Sequence, residues 1–263
     1  MKLISLPKTN LTISKFSFGT ASLHRLGSIK KQVSHLSAAV DAGFTHFDTS
    51  PLYGFGCSEI SLGKAFSVLD HAAVTVATKV GLYAPGGSWQ PLLSMKTRKL
   101  FGRVISPLSS PIVDWTLSRA KISLDESFTR LGREQIDIVF IHEPDFELIN
   151  TDEWLSWLKK ESQNRVGFFG LAGSLQNLEP FIKSQSPLAN IIQINDSLDK
   201  KEADILTDFS QKIQFTYGYF SSSPKGVSGE AILLKALERN ETGSIVVYSR
   251  QLDRLRAFSD FSD

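Results

Sequence analysis

Gly43-Phe44-Thr45-His46-Phe47-Asp48-Thr49-Ser50-Pro51-Leu52-Tyr53-Gly54 holds a helix stop, a short apolar strand and a broken loop in succession. Gly43 ends the helical pattern before it, because glycine accepts the left-handed backbone that closes a helix. Phe44 to Phe47 reads as a strand, and Asp48 stands where that strand runs out. Tyr53 follows in a loop interrupted by Pro51 and Gly54. A carboxylate at a strand's C-terminal end, with a phenol just beyond it, is the placement that parallel α/β folds use for chemistry. Upstream, Lys30 to Ala42 carries Val33, Leu36 and Val40 on one helical face. Downstream, Ser58 is suited to cap a helix whose apolar stripe is Leu62, Ala65, Phe66 and Leu69. Strand follows helix again at Val74-Thr75-Val76-Ala77-Thr78-Lys79.

The same alternation fills the rest of the chain. Leu3-Ile4 and Leu11-Thr12-Ile13 flank a turn and predict an N-terminal β-hairpin, with Phe16 to Gly19 as the first strand of the series. Between Val80 and Pro111 the periodicity disappears, and so long an irregular stretch usually serves as a lid or binding loop. Asp114 is placed to cap a helix with Leu117, Ala120, Leu124, Phe128 and Leu131 inward and Gly132 as its stop. Strands are predicted at 136–141, 166–171, 191–194, 213–217 and 244–248, and helices at 152–160, 175–183, 199–211, 229–240 and 251–258. From Phe16 this makes eight strand candidates, each followed by a helical pattern. Strict alternation implies a parallel sheet, and eight repeats in about 250 residues is the size of a closed barrel. The predicted fold is therefore α/β, a (β/α)₈ TIM barrel with an N-terminal β-hairpin, in one domain over residues 1–263. A doubly wound sheet would announce itself with a glycine-rich turn after its first strand, and Gly19-Thr20-Ala21-Ser22-Leu23 is not one.

Bulk properties narrow the function classes. The net charge is +2, close to neutral, so no nucleic-acid or membrane-surface partner is implied. Cys57 is the only cysteine, which rules out an intrachain disulfide and fits a reducing, cytoplasmic setting. No run of residues is apolar and long enough to span a bilayer, and the first residues lack a leader's apolar core. The chain is expected to be a monomer or a weak oligomer.

Four polar residues fall at matching places. Asp48 ends the second strand with Tyr53 in its loop, Lys79 ends the third, and His142 ends the fourth. Adjacent strand ends of a barrel open on one mouth, so these side chains can meet. A free phenol has a pKa of about 10, too high for easy proton exchange near neutrality. A neighbouring ammonium lowers it, and a buried ammonium needs the counter-charge that Asp48 offers. A neutral imidazole can orient a carbonyl oxygen and support charge developing there. The set handles the proton of a carbonyl/alcohol pair and leaves the hydride to a nicotinamide cofactor.

These residues sit in flanking patterns that resemble a known superfamily. The stretch from Gly43 to Gly54, continuing through Ser58-Glu59 and Leu62-Gly63-Lys64-Ala65, resembles the first signature of the aldo-keto reductases. Ser118-Arg119, Ser123-Leu124-Asp125-Glu126-Ser127-Phe128, Leu131-Gly132 and Ile136 to His142 resemble the central one. The resemblance implies NADPH-dependent, metal-free interconversion of carbonyls and alcohols, with NADP(H) as cofactor. Carried over by position, Tyr53 is the general acid/base, Lys79 tunes it, Asp48 pairs with Lys79, and His142 orients the carbonyl. Gln193 matches the residue that holds the carboxamide and Tyr217 the aromatic that stacks on the nicotinamide, with Tyr219 as a second candidate. The usual Ser-Asn pair after the fifth strand is replaced by Ala172-Gly173. After the eighth strand, Ser249 and Arg254 match residues that grip the adenosine 2′-phosphate, the expected lysine being Tyr248, with Arg250 and Arg256 nearby.

The sequence ends soon after its last helical pattern. The substrate wall is therefore expected from the 80–111 loop, which carries Tyr83, Trp89, Lys96, Arg98, Lys99 and Arg103, together with Leu23, His24 and Trp115. Two other readings stay open. His142-Glu143-Pro144-Asp145 and the long third loop resemble members that oxidise sugars or alcohols, and the altered cofactor positions suit a regulatory subunit that binds the cofactor without fast turnover.

Overall fold

The computed structural model describes residues 1–68, 74–85, 111–224 and 226–261. Strands β1 (Leu3–Ser5) and β2 (Thr12–Ser14) form the antiparallel hairpin, with Ile4 opposite Ile13. Eight parallel strands then close into a barrel: β3 (Phe16–Gly19), β4 (His46–Asp48), β5 (Thr75–Val80), β8 (Ile136–His142), β9 (Val166–Gly173), β10 (Ile191–Asn195), β11 (Phe215–Tyr217) and β12 (Ser244–Val247). Closure is made by β12 against β3, with Val247 opposite Phe18. The short strands β6 (Leu82–Tyr83) and β7 (Ile112–Val113) pair antiparallel and bring the ends of the long third loop together.

The connecting helices are α1 (Ile29–Asp41), α2 (Cys57–Phe66), α3 (Leu117–Leu131), α4 (Thr151–Ser162), α5 (Leu175–Lys183), α6 (Asp204–Asp208), α7 (Tyr219–Ser222), α8 (Gly229–Arg239) and α9 (Leu252–Asp260). The barrel and the hairpin are those the alternation predicts.

Strand parity decides which side chains can reach the barrel interior, because successive residues point to opposite faces. On β8, Val139 and Ile141 pack outward into the large core beneath the helices. Ile138 and Phe140 pack inward with Ala77, Ala172, Ile191 and Phe215, above the hairpin's Leu6 and Ile13. Counting on by two from each inward residue gives Lys79 from Ala77, His142 from Phe140, Gln193 from Ile191 and Tyr217 from Phe215. Burying one large apolar side chain contributes roughly 1.5–3 kcal/mol, so the inward apolar layer locks this parity.

Other motif residues are structural. Glu59 on α2 is fully buried and accepts a 2.7 Å hydrogen bond from Arg130 Nε on α3. Its second oxygen accepts from Thr78 Oγ1 at 2.6 Å, on the outward face of β5. Gly63 lets the two helices approach, since a Cβ there would meet the Arg130 carbonyl at 2.3 Å.

Three local expectations change. Ser58 does not cap α2; it lies in the first turn and donates to the Thr20 carbonyl at 2.9 Å, while Gly56 at φ 84° redirects the chain before the helix. Asp114 lies before the cap residue Thr116, and its carboxylate accepts from Thr116 N at 2.8 Å. The helix predicted at 199–211 shrinks to α6. Asp196 accepts from Ala203 N at 3.0 Å, so a side-chain acceptor competes with the helical ladder, and Glu202 folds back to accept from Ser197 N at 2.8 Å.

Candidate active site

The loop after β4 is shaped by Ser50. Its Oγ accepts from Leu52 N at 3.2 Å and its carbonyl from Tyr53 N at 3.0 Å, which turns Tyr53 back over the barrel mouth. A cavity of about 500 Å³ opens there, within the roughly 300–1,000 Å³ range of small-molecule sites. Asp48, Tyr53, Lys79, His142, Gln193 and Tyr217 all line it. The other described walls are Gly19, Ala21 and Ser22 on one side, Glu143 and Ala172 on another, and Gly218, Phe220, Ser221 and Val246 to Tyr248 on the rest.

Lys79 and Asp48 form a buried ion pair, with side chains 2% and 5% exposed. Lys79 Nζ also donates to the Thr49 carbonyl at 3.0 Å, and Gln193 Nε2 donates to the same Asp48 oxygen at 2.8 Å. The carboxylate is thus shared between an ammonium and an amide, which offsets the desolvation of the pair. Lys79 Nζ lies 5.1 Å from the centroid of the Tyr53 ring, and the Tyr53 and His142 rings meet edge to face at 6.2 Å.

Burial, with the Lys79 charge adding to it, lowers the His142 pKa to about 3, so its ring is neutral. Nδ1 of that ring is buried without a hydrogen-bond partner among the described residues. His46, one turn deeper in the barrel, is held at about 3 for the same reasons and stacks on Phe215 at 5.2 Å.

The phenol differs from expectation. Burial, then the carboxylate of Asp48, then Tyr217 and Glu143, hold the Tyr53 pKa well above 10. The ammonium, paired with Asp48 and a carbonyl, does not outweigh these raising effects while the phenol is protonated. Tyr53 is a neutral hydroxyl across the ordinary pH range.

Tyr217, not Tyr219, faces the cavity. Tyr219 is 2% exposed, and its hydroxyl donates to Asp196 Oδ2 at 2.6 Å. Arg239 holds the same carboxylate at 2.9 Å, so Asp196 fixes the loop that carries Tyr217. Ser249 and Arg254 do not line this cavity. Ser249 Oγ accepts from Gln251 N at 3.1 Å, and its carbonyl meets His35 Nε2 at 2.7 Å. Arg254 is exposed and lines a second cavity of about 650 Å³, formed with Ser228 to Glu230 at the start of α8, and Phe220 borders both cavities.

Of the expected substrate wall, Leu23 is fully buried in the core, while His24 and Trp115 are not among the described lining of this cavity, and Trp115 Nε1 donates to the His142 carbonyl at 3.5 Å. Tyr83 is 1% exposed, accepts from Gly81 N at 2.9 Å and lies under Arg119, 4.7 Å away. Trp89, Lys96, Arg98, Lys99 and Arg103 lie outside the described residues.

Sequence reasoning quoted Glu143 only within the 142–145 motif and gave it no place in the site. Its backbone is left-handed at φ 46°, and its N–H donates to the Ala172 carbonyl at 2.7 Å. Its Oε2 accepts from Ser174 N at 2.9 Å, Ser174 Oγ at 3.1 Å and Asn177 Nδ2 at 3.2 Å. A signal was present in the small pair Ala172-Gly173: a Cβ on Gly173 would stand 2.6 Å from that oxygen.

With this geometry in place, the comparisons with known proteins are decisive for the family. Residues 15–165, more than half of the chain, match the family model described as Aldo/keto reductase family. The chain belongs to the aldo/keto reductase family. It is 27% identical over 197 residues to L-galactose dehydrogenase of Arabidopsis thaliana, covering 71% of this chain and 53% of that protein. It is 33% identical over 139 residues to D-threo-aldose 1-dehydrogenase of Pseudomonas sp, covering 51% and 41% respectively. The match therefore spans about half the length of these curated relatives. Among solved structures, a glycerol dehydrogenase from Gluconobacter oxydans superposes with a TM-score of 0.75 at 17% identity, covering 99% of this chain and 90% of the other. That likeness is one of fold. Members of this family work with nicotinamide cofactors, and no helix among the described residues is long and apolar enough to cross a membrane.

Proposed function

We propose that this aldo/keto reductase is an NADP(H)-dependent oxidoreductase that interconverts a small carbonyl compound and its alcohol. The observation that carries the reading is the meeting of Tyr53, the Lys79–Asp48 pair and a neutral His142 on one cavity. When bound, the nicotinamide supplies or accepts the hydride. The residues present fit such a group: Tyr217 offers an aromatic face, Gln193 an amide, and His142 a buried nitrogen without a partner among the described residues.

In reduction, the neutral Tyr53 hydroxyl gives its proton to the substrate oxygen while the neutral His142 ring orients that oxygen. Asp48 keeps Lys79 charged despite burial, and the ammonium beside the ring stabilises the phenolate left behind. In oxidation the same groups work in reverse. Arg254, at the second cavity bordered by Phe220, is the proposed partner of an adenosine 2′-phosphate, and Ser249 supports the loop that leads to it.

A second reading, oxidation of a sugar or alcohol as the working direction, is favoured by the acidic Glu143 at the mouth and by the dehydrogenases among the relatives. The test is fluorescence titration with NADPH and NADH, followed by panels of carbonyls and of sugars or alcohols. Turnover that disappears in Tyr53→Phe while cofactor affinity persists is the expected result. Binding without turnover of any substrate would turn the assignment toward a regulatory subunit. Arg254→Ala should weaken NADPH about ten-fold and NADH little, and equal weakening would remove the phosphate contact.

A further inference from the structure

The cavity holds two carboxylates and one ammonium. Lys79 is paired with Asp48, but among the described residues no lysine or arginine lies within ion-pair distance of Glu143. Glu143 is nevertheless built in with care. Its backbone takes a left-handed conformation that non-glycine residues seldom adopt, and three donors hold Oε2 while none of the described residues holds Oε1. Gly173 leaves the space the carboxylate fills. The result is a clamped anion, with one oxygen left over, on the wall between His142 and Gln193. Its field reaches across the mouth, since Glu143 is among the groups that raise the pKa of both Tyr53 and Tyr217.

We propose that Glu143 selects the oxidation state of the bound cofactor: its uncompensated carboxylate favours the oxidised, cationic nicotinamide over the reduced, neutral one. The inference rests on the nicotinamide reading above and names a residue for it. The physical reason is Coulombic. A fixed negative charge interacts with a cationic ring and hardly at all with a neutral one, and a partly buried site screens that interaction far less than water does. Glu143 thereby helps load the oxidised cofactor and release the reduced one, and it makes the bound reduced form the stronger hydride donor.

The experiment measures the dissociation constants of NADP⁺ and NADPH, by calorimetry and by tryptophan quenching, for the wild type, Glu143→Gln, Glu143→Asp and Asn177→Lys. Glu143→Gln keeps the shape and the clamp but removes the charge. It should raise the ratio of the NADP⁺ to the NADPH dissociation constant about ten-fold. For this two-electron couple, that lifts the bound potential by about 30 mV. Glu143→Asp, which keeps the charge, should leave the ratio within about two-fold of the wild type. Asn177→Lys neutralises the carboxylate in place and should move the ratio about three-fold in the same direction, so it decides the matter if Glu143→Gln does not fold. Both cofactor forms bound with an unchanged ratio in Glu143→Gln and Asn177→Lys would overturn the proposal and leave the cofactor assignment standing. A wild type that binds neither form would defeat the assignment and the inference together.

Discussion

Two lysines are buried at opposite ends of this barrel, and they do different things. Lys15, 5% exposed near the floor, donates to the carbonyls of Asn240, Glu241 and Gly243, the last two at 3.0 and 2.9 Å. Lys79, 2% exposed at the mouth, is held by a carboxylate and one carbonyl beside a phenol. Neutral carbonyls satisfy an ammonium without cancelling its charge, and burial pulls the Lys15 pKa down to about 8. It is a staple between the start of β3 and the turn before β12. At the mouth, Asp48 raises the Lys79 pKa against the stronger lowering by burial, and the pair opens onto space where a substrate can sit. A buried charge marks a site only when reactive groups and room lie next to it.

Substitutions at the two ends should separate these roles. The largest effect belongs to the mouth. Tyr53→Phe should reduce kcat about 10³-fold with cofactor affinity nearly unchanged, measured by steady-state kinetics and titration. Undiminished turnover would place the proton donor elsewhere.

Lys79→Met should combine a similar loss of activity with a stability loss of about 3–5 kcal/mol, because among the described residues Asp48 is left buried with the Gln193 amide as its side-chain partner. Lys15→Met should lower stability by about 2–3 kcal/mol, since three carbonyls lose their donor, and leave kcat per folded molecule unchanged. A fall in kcat for Lys15→Met would break the distinction between the two ends.

Titration offers the gentlest probe. The lowered Lys15 pKa means that the unfolded chain binds more protons between about pH 8 and the ordinary lysine value, so this residue makes stability rise with pH across that window. Lys15→Met should flatten that rise in a melting series. At the acid side, His46 and His142 are neutral in the fold down to about pH 3 and charge earlier in the unfolded chain. Stability should therefore fall as pH drops from the ordinary histidine range toward 3, and His46→Leu should reduce the slope.

The parts of the fold that were legible in the sequence are those set by short-range periodicity. The runs at 75–78 and 138–141 are apolar or β-branched on both faces, as strands covered on both sides must be. Asp48, Lys79 and His142 were readable because each closes such a run, and Tyr53 because Pro51 and Gly54 mark its loop. Illegible parts depended on side chains reaching across the chain. The 199–211 helix yielded at its start to Asp196, whose carboxylate took the Ala203 N–H that a helix would have used, while Glu202 folded back onto Ser197 ahead of it. Tyr219 stood as a second candidate beside Tyr217 until its hydrogen bond to Asp196 turned it away from the mouth.

Local pattern thus determined by itself that this chain alternates strand and helix, and which residues end the strands, because both follow from backbone geometry over a few neighbours. Tertiary structure decided the electrostatics. Only closure of the barrel brought Glu143 against Gly173 and left Tyr53 protonated, because fields and desolvation act through space between residues far apart in the chain.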